Sequence, residues 1–138
     1  MTPLSDWHTA CAAALAGGAT YFDMLSAAEL VDGSGVEVTL HAAVPGTPIG
    51  HVLLTTRVPD DAALPSIADV WAGAAWHERE IHEMFGVAIE GHPDLRPLLL
   101  DERGTHPLRK SNNLTVRAET PWPGRDGRKK PLGVPDER

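Results

Sequence analysis

The sequence predicts an α+β fold: a two-layer domain in which helices pack on an antiparallel sheet, followed by an extended C-terminal segment. Three observations lead there. A helical run over residues 5–15 stops at Gly17-Gly18, period-two alternation follows up to Pro59, and a second helical pattern ends at Gly86. The 138 residues suit one domain with a core of its own. Thirteen Gly and twelve Pro are more punctuation than a helical bundle tolerates, and no run reaches the roughly 18 apolar residues of a membrane-spanning helix.

Each element has a local reason. Residues 20–25 are rich in Tyr, Phe and Leu. Between 35 and 44, Val36, Val38 and Leu40 alternate with Glu37, Thr39 and His41, and a third run, 49–58, opens after the Pro-Gly-Thr-Pro turn at 45–48. These three runs read as an antiparallel meander. From Pro65 a helical stretch begins with Ser66 as N-cap and Asp69 three residues on, breaks near Gly73, resumes, and ends at Phe85 with Gly86 in the left-handed position. At 100° per residue Val70, Ala74, His77, Ile81, Met84 and Phe85 share one arc, the face expected to meet the sheet. Trp76, Arg79 and Glu83 lie opposite, and an indole turned away from the core signals a partner. Beyond Gly86 little is regular. The expected boundary is a domain over 1–110 and a Pro/Gly-rich basic tail over 111–138 that cannot build a core.

Charge divides the chain in the same place. Residues 1–108 carry 4 Lys/Arg against 15 Asp/Glu, whereas 109–138 carry 8 against 4. The acidic body argues against nucleic acid as a ligand, because a duplex needs a basic face. The segment before the small-residue run at 10–19 has Asp6 and no Lys or Arg, which argues against an export signal. Cys11 is the only cysteine, so this chain forms no internal disulfide and no iron–sulfur cluster of its own. In an Ala-rich helix it reads as a small core residue.

Catalytic layouts are absent. His77 and His82 are five apart, which places them about 140° apart on a helix instead of the four-residue spacing of a zinc protease. His77 reads as a core-face residue and His82 as solvated. No nucleophile elbow, phosphate loop or dinucleotide fingerprint is present. Glu78 and Glu80 flank the apolar arc, where half-buried carboxylates need donors, and Arg96 or Arg109 are the expected partners that would tie the irregular segment to the helix.

The run Ala75-Trp76-His77-Glu78-Arg79-Glu80-Ile81-His82-Glu83-Met84-Phe85-Gly86, followed by Gly91-His92-Pro93-Asp94-Leu95-Arg96-Pro97-Leu98-Leu99 and later His106-Pro107-Leu108-Arg109-Lys110, resembles the thirty-kilodalton subunit family of respiratory complex I. The resemblance covers about residues 19–110. It implies a non-catalytic structural and assembly subunit of the peripheral arm of an NADH-quinone oxidoreductase, with no active site and no cofactor in this chain. Iron–sulfur clusters and quinone are then expected in partner subunits. Docking is expected on the forty-nine-kilodalton partner subunit, on the cytoplasmic side of the cell membrane and without insertion into it. The signature and interface positions it implies are Trp76, Glu78, Arg79, Glu80, Glu83, His92, Asp94, Arg96, His106 and Arg109. The alternative is the equivalent subunit of a membrane-bound hydrogenase or of an oxidoreductase with a donor other than NADH.

Overall fold

A computed structural model describes residues 1–100 and 106–112. A 3-10 turn over Leu4–Asp6 leads into helix α1, Trp7–Ala16. Strands β1 (Tyr21–Glu29), β2 (Gly35–Val44) and β3 (Gly50–Pro59) follow, then β4 (Ala63–Pro65), helix α2 (Ala74–Phe85) and β5 (Ala88–Glu90). The first three strands form the expected antiparallel meander in the order β1-β2-β3. The alternation read in β2 fixes which face is covered: Val36, Val38, Leu40 and Ala42 are all fully buried, while Glu37, Thr39 and His41 point the other way.

Both helices cover that one inner face. On α1, Trp7 and Cys11 stand four residues apart on one side of the helix, and both are fully buried. On α2 the buried positions are Ala74, Glu78, Ile81 and Phe85. With Leu25, Val58, Leu64, Ile67 and Trp71 they make a single hydrophobic core. Trp71 also donates its indole N–H to the Ala19 carbonyl at 3.1 Å, so its polar edge is satisfied inside the core.

Three features differ from the sequence reading. The stretch after Pro65 is one turn only: the amides of Val70 and Trp71 both reach the Ile67 carbonyl, and the helix proper starts after Gly73. Ser66 therefore caps no long helix; its Oγ accepts from the Ala68 amide and donates to Glu78. A second sheet, β4 paired in parallel with β5, carries no periodicity signal because each strand has three residues. The tail expected over 111–138 lies, from residue 113 on, outside the described residues. Among the described residues no helix is long and apolar enough to cross a membrane.

Burial, joined by the negative charge of Glu78, pushes the Cys11 thiol up to about 12. Only the thiolate is a nucleophile. A thiol reagent at pH 8 is therefore expected to leave the native chain unlabelled over a time that labels the urea-unfolded chain fully; rapid labelling of native protein would contradict the packing of α1.

Candidate interaction surface on helix α2

Glu78 is the residue on which the sequence reading and the structure differ most. It does not sit half-buried at the edge of the helix; it is fully buried, and its partner is not an arginine. Its Oε1 accepts from the Ile67 amide and its Oε2 from the Ser66 hydroxyl, both at 2.6 Å. The reason is where the helix starts. Val70 lies before α2, and without it the buried arc turns by roughly 40° toward Glu78 and away from Glu80. Glu80 is accordingly exposed and makes no side-chain hydrogen bond among the described residues. Burial pushes the Glu78 carboxyl above its usual range, against the opposing effect of the Ile67 and Ser66 hydrogen bonds and of His92.

Two irregular segments are strapped to α2, and helix side chains hold the first of them by its backbone. The His92 ring, almost wholly buried, donates Nε2–H to the Ala75 carbonyl at 3.0 Å, while its Nδ1 accepts from the Asp94 amide at 2.9 Å. Its Nε2 also stands 3.7 Å from Glu78 Oε2. Arg79 donates to the carbonyls of Arg96 (2.9 Å) and Pro97 (2.8 Å). Glu83 accepts from three successive amides: Leu98 at 3.1 Å, Leu99 at 2.8 Å and Leu100 at 3.0 Å. Burial works against ionisation of Glu83, but the amides of Leu99, Leu100 and Leu98 together with Arg79 outweigh it and hold the carboxyl below its usual range.

The expected tethers Arg96 and Arg109 thus take other partners. Arg96 pairs with Asp94 two residues away, which lowers the Asp94 carboxyl. Arg109 belongs to the second strap, residues 106–110, which closes the C-terminal end of α2. His106 Nδ1–H donates to the Glu83 carbonyl at 3.0 Å, the Leu108 amide to Met84 at 3.2 Å, and Arg109 Nε to Phe85 at 2.6 Å. The far end of Arg109 meets Asp60 at 2.8 Å and Glu29 at 3.6 Å, and Glu29 also accepts from the Lys110 amide at 2.6 Å. Gly86 makes this closure sterically feasible. Its φ is +72°, and a Cβ there would meet the His106 ring at 2.8 Å.

What remains outside is apolar. Trp76 is 61% exposed, Leu99 62% and Leu108 55%, and the bonds just described place them along the outer side of α2 from its first turn to its end. The Arg79 guanidinium lies 5.3 Å from the Trp76 ring centre and supports the indole from one side. A shallow cleft of about 220 Å³ opens between Trp76, Arg79, His92 and Arg96. His77 is a core-side residue as read, edge-on to Phe22 and bonded to the Leu25 carbonyl, whereas His82 bonds the Val87 carbonyl. Among the described residues no three His, Cys, Asp or Glu side chains converge in a way that would hold a metal ion. Sequence reasoning missed Arg79 and Glu83 as backbone clamps. The available signal was the run Leu98-Leu99-Leu100, whose amides have no place in regular structure and so require acceptors.

The whole arrangement is an anchored surface with charged residues turned to structural use, and comparison with known proteins says which class it belongs to. The chain is a member of the family described as respiratory-chain NADH dehydrogenase, 30 Kd subunit, which it matches over residues 1–118. It is 57% identical over 62 residues to an NADH-quinone oxidoreductase subunit of this kind from Rhodobacter capsulatus, covering 44% of this chain and 31% of that protein. It is 46% identical over 70 residues to NADH-quinone oxidoreductase subunit 5 of Thermus thermophilus, covering 50% and 32%. The matched stretch thus spans about a third of the length of these relatives. In fold the chain resembles a chain of the membrane-bound sulfane sulfur reductase, an archaeal respiratory membrane complex, with a TM-score of 0.67, 24% identity, and coverage of 83% of this chain and 70% of that one.

Replacing Glu78 separates shape from charge. Glu78→Ala leaves the Ile67 amide and Ser66 hydroxyl buried without an acceptor and is expected to cost about 3–5 kcal/mol, whereas Glu78→Gln keeps the shape and one acceptor and costs about 1–2 kcal/mol. The folded-state value of Glu78 is raised, so its contribution is fullest below the usual glutamate range and falls as pH rises through the raised value. The stability gap between wild type and Glu78→Gln should therefore narrow from pH 4.5 to pH 8 in urea titrations. A gap that widens with pH would show that Glu78 is held ionised by a cation instead.

Proposed function

We propose that this chain is a non-catalytic assembly subunit of the peripheral arm of an NADH-quinone oxidoreductase. It docks on the forty-nine-kilodalton partner subunit near the quinone site, on the cytoplasmic side of the cell membrane. The iron–sulfur clusters and quinone belong to the partner subunits, and this chain supports electron transfer by holding them in place. One observation carries the reading: the charged signature side chains Glu78, Arg79, Glu83, His106 and Arg109 are engaged with backbone groups of the chain itself, leaving Trp76, Leu99 and Leu108 as the groups turned outward. An exposed aromatic backed by arginine and flanked by leucines has the composition of an interface core. Family membership supplies the class of partner.

Affinity purification of the full chain from its native host tests this directly. The expected result is co-purification of NADH-quinone oxidoreductase subunits, the forty-nine-kilodalton one among them. The Trp76→Ser, Leu99→Ser double variant should recover markedly less of that partner at unchanged circular dichroism. Recovery of hydrogenase-type subunits would favour the alternative assembly. Recovery of the chain alone, or full retention of the partner by the double variant, would refute the docking surface.

A further inference from the structure

The sheet face turned away from both helices carries a side-chain cluster that the docking surface does not use. In the β2–β3 register His41 pairs with Leu53 and Ala43 with His51, so the two histidines occupy diagonal positions on the outer face. Strand β1 is irregular between Phe22 and Met24: Phe22 pairs with Ala42 on the inner face and Met24 with His41 on the outer face. The extra residue, Asp23, is exposed beside Met24, and its Oδ2 accepts from His41 Nδ1 at 2.7 Å. A bulge that re-aims one side chain is a common device near functional groups.

The geometry on the other side of His41 is that of a ligand pair. His41 Nε2 and His51 Nδ1 are 3.1 Å apart, with ring centres 5.3 Å apart and planes within 19°. The bond to Asp23 uses the Nδ1 proton of His41, so its Nε2 lone pair faces His51. An ion 2.0–2.1 Å from two nitrogens at this separation subtends roughly 100° between them, intermediate between octahedral and tetrahedral angles. Near-coplanar rings let both lone pairs reach such an ion without a change of strand register.

We propose that His41 Nε2 and His51 Nδ1 form a binding site for a borderline divalent cation of the Zn²⁺ class, with Asp23 orienting His41 from behind. A carboxylate on the far nitrogen of a metal-bound imidazole fixes its tautomer and raises its basicity. On binding, the single proton between the two nitrogens is displaced and His51 keeps its proton on Nε2. No third side chain converges among the described residues, so water fills the remaining positions. The ion would pin β1, β2 and β3 together through one residue of each. Zn²⁺ has no redox chemistry, so the site is separate from electron transfer.

Titration of the untagged full chain with Zn²⁺ alone, against a chromophoric zinc chelator at pH 7.5, decides it. One equivalent should bind, with affinity reduced at least ten-fold in His51→Ala and about ten-fold in Asp23→Asn. His8→Ala, whose ring pairs separately with Asp69, should bind as wild type does. His51 is exposed, so its removal leaves the sheet intact, which circular dichroism verifies. Absence of a bound equivalent, or affinity unchanged in His51→Ala, would overturn the proposal.

Discussion

A helix leaves its last four carbonyls without partners inside the helix, and in this protein the way those of α2 are satisfied determines everything built around it. The His82 carbonyl takes the Gly86 amide; Glu83, Met84 and Phe85 take His106, Leu108 and Arg109. A segment with no regular structure is thereby fixed in place, because each donor it provides answers an acceptor that would otherwise face the core edge unpaired. The left-handed Gly86 is the hinge of this closure: a side chain there would collide with His106 and carry a strained backbone as well.

The same economy runs along the rest of the helix. Arg79 and Glu83 act on backbone carbonyls and amides of residues 96–100, and Glu78 on the Ser66-Ile67 turn. Charged groups in these roles make strong hydrogen bonds, and they substitute for the strand or helix pairing these segments lack. A cluster of Glu, Arg and His on a helix can suggest catalysis or a solvated face. Here most of it is scaffold, and the few apolar residues left outside carry the contact area.

Much of this is legible in the chain itself. The alternation of Val36, Val38 and Leu40 sets the limits of β2, and Gly17-Gly18, Gly73 and Gly86 mark helix ends, because period and punctuation are local properties. The short β4–β5 pair is not legible, since three residues carry no period and parallel pairing depends on distant segments. Counting Val70 as part of the helix puts Glu78 at the edge of the buried arc, when the true start after Gly73 puts it inside. The partners of Arg79, Glu83 and Arg109 depend on how the irregular segments return to the helix, which no local pattern encodes. The same holds for His41 and His51, joined by a hairpin register and completed by a bulge in a third strand.

The central claim is that α2 holds both straps in the chain itself, before any partner is present. Amide hydrogen exchange on the isolated full chain tests it most directly at Leu98, Leu99, Leu100 and Leu108. Protection at all four, well above the rates of an unstructured peptide and lost selectively at 98–100 when Glu83 is changed to Ala, is the predicted result. Exchange of these four amides at unstructured rates in the free chain would contradict the account and place the ordering of the straps in the assembly instead.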